Sequence, residues 1–499
     1  MTTNEIKTQK FIIKYFTEIM IKGDSAKRQM INQLYNNLHR ILAKISEDIK
    51  LRKFFDKIEI VTPIEFVDVL RVRLLETPGI QQVLEAIQID SMHTLDDIKV
   101  KVNEYMSHVI KDKTFVVRAK RMGKQDFRSN DIEQTVGGYM LAHNDETKGV
   151  SLKNPDVTIK LELEHAQLNI ITQKHIGFGG FPLGTQGEIL SLMSGGFDST
   201  VASYLTIKRG IKTHFLFFNL GGVAHELGVK QVSYYLWEKF ANSHNVLFIT
   251  VPFEDVVEQI FKDTAPAYMG VMLKRLMIQA AQSIAKNLKV DALLTGESVA
   301  QVSSQTLRNL SLIDSVSNML ILRPLAMMSK PDIIEIAAKI GTDKFAEAMP
   351  EYCGVISKHP VIHGSYERME NEAKYFDYKV LEEAVNNAKI KNIYEVLDDA
   401  CEIGTLEVVS DLTSGDYVVI DVRANEQIIK LSCETIKIPF HQLKKEFKKL
   451  PADKTYLLYC DKGVLSQLHG QFLVDNEGFT NIKVYRPQIK VEISKKEIV

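Results

Sequence analysis

Cysteine is scarce in this chain: there are four in 499 residues, Cys353, Cys401, Cys433 and Cys460, with no Cys-x-x-Cys and no paired Cys/His spacing. That excludes a disulfide framework and a structural zinc site as sources of stability. Long apolar runs are missing too. Nowhere do about eighteen apolar residues follow one another, and the chain starts on polar residues, so neither a signal peptide nor a membrane span is expected and the cytoplasm is the expected compartment. Nor does charge of one sign dominate, since 62 Lys and Arg against 63 Asp and Glu leave a net charge of -1. A wholly basic nucleic-acid coat is excluded, although a neutral total still allows a charged patch on one domain. What the chain has is bulk: 499 residues with 45% hydrophobic content suffice for about three or four domains.

One short stretch anchors the reading. Ile189, Leu190, Leu192 and Met193 form the apolar run of a buried parallel strand, which stops at Ser194-Gly195-Gly196. Two adjacent glycines let the backbone take positive φ and let an anion approach the amides without meeting a Cβ. Asp198, Ser199 and Thr200 suit the start of a helix, where free N–H groups and the positive dipole end attract pyrophosphate. No Lys-Ser or Lys-Thr follows at Walker spacing, which disfavours kinase-like chemistry. Taken alone, the turn also reads as an ordinary strand-to-helix connection.

Taken in order, the chain begins with an expected strand at 11–16, a helix over 24–50 carrying Ile31, Leu34, Leu38 and Ile41, and alternating strands at 57–61 and 67–73. These make a small α+β sandwich. Thr77-Pro78-Gly79-Ile80 turns into a second unit with a helix over 95–110 and a strand over 114–118. Between Lys99 and Arg128 stand nine Lys or Arg, among them Arg118, Lys120, Arg121 and Lys124, against three acids. Such a surplus fits phosphate contacts, or a solvated face, and Phe127 among the cations can stack on a base or simply pack.

Five glycines and a proline in residues 175–187 read as a linker. Beyond the anchor, strands at 214–219 and 245–251 alternate with helices, as in a doubly wound parallel sheet with ligands at the carboxyl ends of its strands. Three pieces should converge there. They are the helix over 268–287 with Lys274 and Arg275, the strand over 290–294 running into Thr295-Gly296-Glu297-Ser298 and on to Gln301, Ser304, Gln305 and Thr306, and Lys330 after Ser329. Pro331 suits the first turn of the following helix and Gly341 its end. Pro350-Glu351-Tyr352-Cys353-Gly354 is a loop, and an acidic helical connector follows over 366–399. Strands at 417–420, ending in Asp421-Val422-Arg423, and at 456–459, ending at Cys460, open a last α/β unit. There a thiol at a strand's end, wrapped by a loop opening a helix near Gln467, has amides to lower its pKa. Cys433 reads as packing, and Cys401 has no role.

These motifs carry resemblances. Ser194-Gly195-Gly196-Phe197-Asp198-Ser199 resembles the PP-loop of ATP pyrophosphatases. Thr77-Pro78-Gly79-Ile80 and Arg118-Ala119-Lys120-Arg121 resemble a THUMP RNA-binding domain. Asp421-Val422-Arg423 and Cys460-Asp461-Lys462-Gly463 resemble a rhodanese, with Lys462 as the loop's one cation, which favours a persulfide donor over thiosulfate. In this order they are similar to the tRNA 4-thiouridine synthase, or tRNA sulfurtransferase (ThiI), family in its long form.

The resemblance implies a multidomain α/β and α+β chain. Its parts would be a ferredoxin-like domain (1–75), a THUMP domain (76–172), a linker (173–187), a doubly wound PP-loop domain (188–358), a helical connector (359–404) and a C-terminal rhodanese domain (405–499). It also implies ATP-dependent transfer of sulfur to uridine 8 of tRNA through an adenylated uridine, with Mg2+ as the ion. The implied ATP site is Leu192, Met193, Ser194, Gly195, Gly196, Ser199, Lys274, Gly296 and Gln305, with Asp198 positioning magnesium or phosphate and Lys330 steadying the adenylate. Arg118, Lys120, Arg121 and Lys124 would meet tRNA. Cys460 would carry a persulfide received from a cysteine desulfurase, and Cys353 would close a disulfide with it. A thiamine sulfur-carrier protein is a further implied partner. Other outcomes stay open: a different PP-loop modification, a sulfur carrier for thiazole synthesis, or an RNA-binding module without catalysis.

Overall fold

The computed structural model describes residues 8–220, 223–347, 359–397, 406–423, 433–438, 440–460, 466, 469–470, 473–474 and 477–486. Two compact units emerge, one of Met1–Gln186 with Thr206–Lys212 and Lys239–His244, the other of the remaining chain. Among the described residues no helix is long and apolar enough to cross a membrane.

The first unit is built on an eight-stranded sheet in the order Lys50–Lys53, Lys57–Pro63, Thr8–Tyr15, Ile80–Ile89, Gln167–Gly179, Val157–Glu164, Thr114–Met122, Gly149–Val150. Helices cover it in two places. Asp24–Leu42 buries Ile31, Leu34, Leu38 and Ile41 at helical spacing against Phe11, Ile13 and Ile60. Leu95–Met106, started by Thr94 and Asp97 capping each other's backbone, buries Ile98 and Val102 beside Phe115 and Ile159. The sheet curls strongly. Three strands separate Lys57–Pro63 from Val157–Glu164, yet Lys57 Nζ lies 2.6 Å from Glu164 Oε2, and Lys10 Nζ meets Glu59 at 2.9 Å and Gln167 at 2.9 Å. The concave face therefore closes over ion pairs, with Lys10 and Lys57 almost fully buried.

Two expectations fail here. Residues 67–73 are not a strand: Val67–Leu75 is a helix. Its β-branched valines mimic alternation, but Leu70 and Leu74, one turn apart, are the buried pair, while Val69 and Val72 face solvent. The expected linker is also too long. The strand Gln167–Gly179 runs through its first half, pairing Val83 with His175 and Ile80 with Gly179. Its glycines serve close packing rather than flexibility, because a Cβ on Gly177 would sit 2.4 Å from the Ile80 carbonyl oxygen.

The second unit contains a six-stranded sheet in the order Leu320–Leu322, Ala292–Leu294, Glu188–Leu192, Lys212–Asn219, Leu247–Pro252, Lys389–Asn392. The chain enters at Glu188–Leu192, builds outward through the next two strands, then returns to the other side. The order reverses beside the entry strand, which creates a crevice at the carboxyl ends of Glu188–Leu192 and Ala292–Leu294.

The helical connector expected over 359–404 is corrected in this region. Tyr366–Tyr375 and Tyr378–Asn386 are helices, but Met369, Ala373, Phe376, Leu381 and Ala384 belong to the same core as Leu190, Ile249 and Leu293. Lys389–Asn392 then adds an antiparallel edge strand beside Leu247–Pro252. Apolar residues at helical spacing bind this segment into the sheet's own packing. A separate five-stranded parallel sheet follows, Val408–Val409, Ile482–Tyr485, Thr455–Tyr459, Tyr417–Asp421, Thr435–Lys437, around Val409, Val419, Leu457 and Tyr485.

Candidate active site

The entry strand Glu188–Leu192 hands over to the turn through the Met193 amide, which donates to the Leu216 carbonyl at 2.7 Å. Gly195 then takes φ +81°, and the helix Phe197–Lys208 begins. Ser199 closes the turn from inside the helix. Its hydroxyl accepts the Ser194 amide at 3.2 Å, lies 3.1 Å from Ser194 Oγ and reaches the Gly196 carbonyl at 3.3 Å. Ser194 is exposed, Met193, Gly195 and Ser199 are buried, and Leu192 and Gly196 lie between. His225 braces the loop from behind with Nε2 3.0 Å from the Ser194 carbonyl oxygen. A carbonyl only accepts, so that nitrogen carries the proton. Burial lowers the ring's pKa and favours the neutral form, against the opposing pull of the Ser194 hydrogen bond.

Gly296 shows why the second piece of the crevice needs a glycine. A Cβ there would stand 2.6 Å from the Asp198 carbonyl carbon and 2.7 Å from the Ser199 nitrogen. The segment after Ala292–Leu294 is thus pressed directly on the start of the helix. From it Gln301 Nε2 donates to Asp198 Oδ2 at 2.8 Å, while Lys330 Nζ meets Asp198 Oδ1 at 2.7 Å and lies 5.4 Å from the Phe197 ring centre. Lys330 is the first residue of the helix Lys330–Ile340, which Ser329 caps with Asp332, Pro331 opens and Gly341 ends at φ +81°. The Asp198–Lys330 pair stays partly in water, so its energy is modest and its rearrangement easy.

A second set of charges lies deeper. Glu297 Oε1 accepts from Lys274 Nζ at 2.7 Å, and Oε2 accepts from Arg323 Nε at 2.8 Å and from the Thr295 hydroxyl at 3.1 Å. Asp314 holds the outer fork of Arg323 at 2.5 and 3.0 Å. Burial alone would raise the Glu297 carboxyl, but Lys274 and Arg323 outweigh it and pull it down to about 2. Gln305 is buried nearby in sequence, and its side-chain oxygen has no hydrogen-bond partner among the described residues. Together the crevice offers open helix-start amides, a part-exposed carboxylate and cations on two sides. This donor set suits a nucleotide's phosphates.

The other expected sites lie elsewhere in the chain. On the strand Thr114–Met122, Arg118 pairs with Glu133 at 3.2 Å and Arg121 with the Gly123 carbonyl at 2.6 Å. Lys120 and Lys124 are exposed. Phe127 packs against the core beside Ile132. In the last sheet Cys460 is buried at the end of Thr455–Tyr459, and the Ser466 amide donates to its sulfur at 3.4 Å with the Ser466 hydroxyl at 3.5 Å. Asp421, on the neighbouring strand, is fully buried. Burial pushes its carboxyl up, but hydrogen bonds from Arg423 and Lys437 pull it below the ordinary range. Cys353, Cys401 and the loop 461–465 lie outside the described residues, and so does the expected Cys353–Cys460 disulfide. Burial pushes the Cys433 thiol up.

Family models match three stretches: a ThiI ferredoxin-like domain at 10–83, a THUMP domain at 92–172 and the thiamine biosynthesis protein ThiI at 184–378. The tRNA sulfurtransferase of Saccharophagus degradans is 44% identical over 486 residues, covering 96% of this chain and 100% of the relative. The tRNA sulfurtransferase of Aliivibrio fischeri is 46% identical over 485 residues, with the same shares covered.

The chain belongs to the tRNA sulfurtransferase family.

Among solved structures, a 4-thiouridine synthetase in complex with RNA and ATP matches with a TM-score of 0.68 and 25% identity, covering 77% of this chain and 100% of that one. A Pyrococcus horikoshii protein with a TM-score of 0.52 and 19% identity shares the fold. Sequence reasoning gave no individual role to Glu297, Arg323, Gln301 or His225. Glu297 had a signal, since a carboxylate directly after the close-approach glycine must point near the crevice. His225 had none, because its contact is to a backbone carbonyl.

Proposed function

We propose that the protein transfers sulfur to uridine 8 of tRNA in an ATP-dependent reaction, giving 4-thiouridine in the cytoplasm. The observation carrying this reading is the meeting of the Ser194–Ser199 turn, the Gly296 segment and Lys330 around Asp198 at the sheet's switch point. The turn's amides and Lys274 receive the phosphates of ATP, Leu192, Met193, Gly296 and Gln305 border the nucleotide, and Lys330 steadies the adenylate. Asp198 fits a magnesium ion, which would neutralise charge on the phosphates. Adenylylation of the uracil 4-oxygen turns a poor leaving group into AMP.

The residues from 405 onward are read as a rhodanese domain. Its Cys460 sits on the Ser466 amide, which stabilises a thiolate or a persulfide taken from a cysteine desulfurase. The persulfide's terminal sulfur attacks C4, and AMP departs. The Cys353 thiolate then attacks Cys460 Sγ, which breaks that sulfur's bond to the transferred atom, leaves the sulfur on C4 and closes a disulfide that a cellular thiol reductant reopens. The cations of the strand Thr114–Met122, with Lys124 beyond its end, hold tRNA, Lys120 and Lys124 most freely.

A second role is favoured by the last sheet having its own core, around Val419 and Leu457. That unit needs only Cys460 and its loop to pass sulfur to a thiamine carrier protein. The test is incubation with tRNA, ATP, magnesium, cysteine and a desulfurase, followed by mass analysis of the digested nucleosides. Cys460→Ala should keep ATP-dependent tRNA adenylylation and lose 4-thiouridine. Loss of ATP turnover in that variant overturns the assignment of roles.

A further inference from the structure

Lysine is a poor instrument for fixing a phosphate, because its four-carbon stem leaves the ammonium free to wander. In this crevice Lys274 does not wander. Its ammonium is held 2.7 Å from Glu297 Oε1 with the lysine side chain 23% exposed and the carboxylate 9%. Glu297 is itself immobilised from three directions. The backbone before it is pressed on Asp198 and Ser199 at Gly296, the Thr295 hydroxyl takes Oε2, and Arg323 takes the same oxygen while Asp314 holds that guanidinium's far side. Oε1 is thereby left to Lys274. A general-base role does not suit this carboxylate, since both oxygens are occupied and its acidity leaves it a weak acceptor.

We propose that Glu297 is a positioning residue of the nucleotide site: it contacts no part of ATP and acts by holding the Lys274 ammonium where a phosphate oxygen meets it. This rests on the reading of Lys274 as a phosphate contact. Arg323 completes the device by balancing the charge of Glu297 from the opposite side, with Asp314 fixing that guanidinium, so that Lys274 is oriented without being neutralised outright.

The test is a double-mutant cycle on the full chain, with affinities for ATP and for adenosine measured by titration calorimetry in wild type, Glu297→Gln, Lys274→Met and the double variant. Glu297→Gln should weaken ATP about tenfold and leave adenosine within about twofold, and it should add nothing further in the Lys274→Met background. An unchanged ATP affinity in Glu297→Gln, with Lys274→Met impaired, overturns the proposal. So does weakening of ATP and adenosine alike, or a full additive effect in the double variant, either of which marks a merely structural ion pair. If Lys274→Met itself binds ATP normally, the lysine's reading fails first and the proposal falls with it. Should Glu297→Gln not fold, Glu297→Asp keeps the buried anion and withdraws it by one methylene. It should weaken ATP several-fold with adenosine unaffected, and an unchanged ATP affinity there also overturns the proposal.

Discussion

Gly296→Ala is the most direct perturbation of the crevice, because the cost can be worked from contacts that are all backbone. The added methyl carbon would lie 2.6 Å from the Asp198 carbonyl carbon, 2.7 Å from its oxygen and 2.7 Å from the Ser199 nitrogen. Ordinary contact needs about 3.4 Å or more, so the segment and the helix start must part by roughly 0.8 Å. No side chain can swing aside to relieve this. Overpacking of that kind costs about 1–3 kcal/mol. A displacement near 1 Å at atoms that align a reaction costs up to about a hundredfold in rate. The expected result is a lowered Tm and a ten- to hundredfold fall in kcat/KM for ATP-dependent tRNA adenylylation, followed with α-labelled ATP. Gly138→Ala is the matched control. That glycine is exposed on the helix Ser129–His143 and a Cβ there meets nothing within 4 Å, so alanine should stabilise by about 1 kcal/mol and leave the rate alone. Adenylylation within twofold of wild type and an unchanged Tm in Gly296→Ala would refute the claim that this contact shapes the site.

Three further outcomes are expected. A Glu297 carboxyl held at about 2 against an ordinary 4.5 contributes about 3 kcal/mol that is present above pH 4.5 and is lost as pH falls through about 2. Denaturant titrations across that window should show Glu297→Gln with a flatter dependence than wild type. Lys57→Met leaves Glu164 and one side of Glu59 uncompensated beneath the curled sheet, so chemical denaturation should show a loss of about 3 kcal/mol. Ser466→Ala keeps the amide on Cys460 but removes the hydroxyl at 3.5 Å, and alkylation of that thiol at fixed neutral pH should slow by up to about tenfold.

What could be read from the sequence was whatever depends on neighbours along the chain. Pro331 and Gly341 bracket a helix because opening and closing a helix is local chemistry, and both stand where that chemistry puts them. The glycine turn after Glu188–Leu192 is of the same kind. Residues 67–73 misled because three valines carry strand-like statistics, while the deciding fact was which side of the segment a distant sheet would cover. The glycines of 175–187 read as flexibility along the chain, yet their cause is close contact, at Gly177 with Ile80 and at Gly180 with Lys208. Glu297 escaped because its meaning lies in Lys274 and Arg323, which come from another helix and another strand. The helices within 366–386 are legible but their packing is not, since an amphipathic helix says that it packs without saying on what.

The two sheets of the second unit solve one electrostatic problem in opposite ways. In each, a buried strand ends close to a backbone amide at the start of the following segment, Ser194 at the first and Ser466 at the second. At the first, the side chains close the turn on itself through Ser194 and Ser199, while the Asp198 carboxylate is kept to one side by Gln301 and Lys330. Among the described residues no carboxylate is hydrogen-bonded to the amides of the turn, so the positive end stays available to an anion that arrives. At the second, the Ser466 amide is already turned onto the Cys460 sulfur, and Asp421 beside it is neutralised by Arg423 and Lys437. There the amide is engaged by the protein's own sulfur, and the carboxylate on the neighbouring strand is balanced by two cations. The same backbone device therefore predicts opposite salt responses. A visiting polyanion must compete with dissolved ions for the first site, so its affinity should fall steeply with ionic strength. A buried sulfur does not compete with dissolved ions for its amide, so the alkylation rate of Cys460 should stay nearly flat over the same range. If both fell together, the distinction between an open and an occupied strand end would be lost.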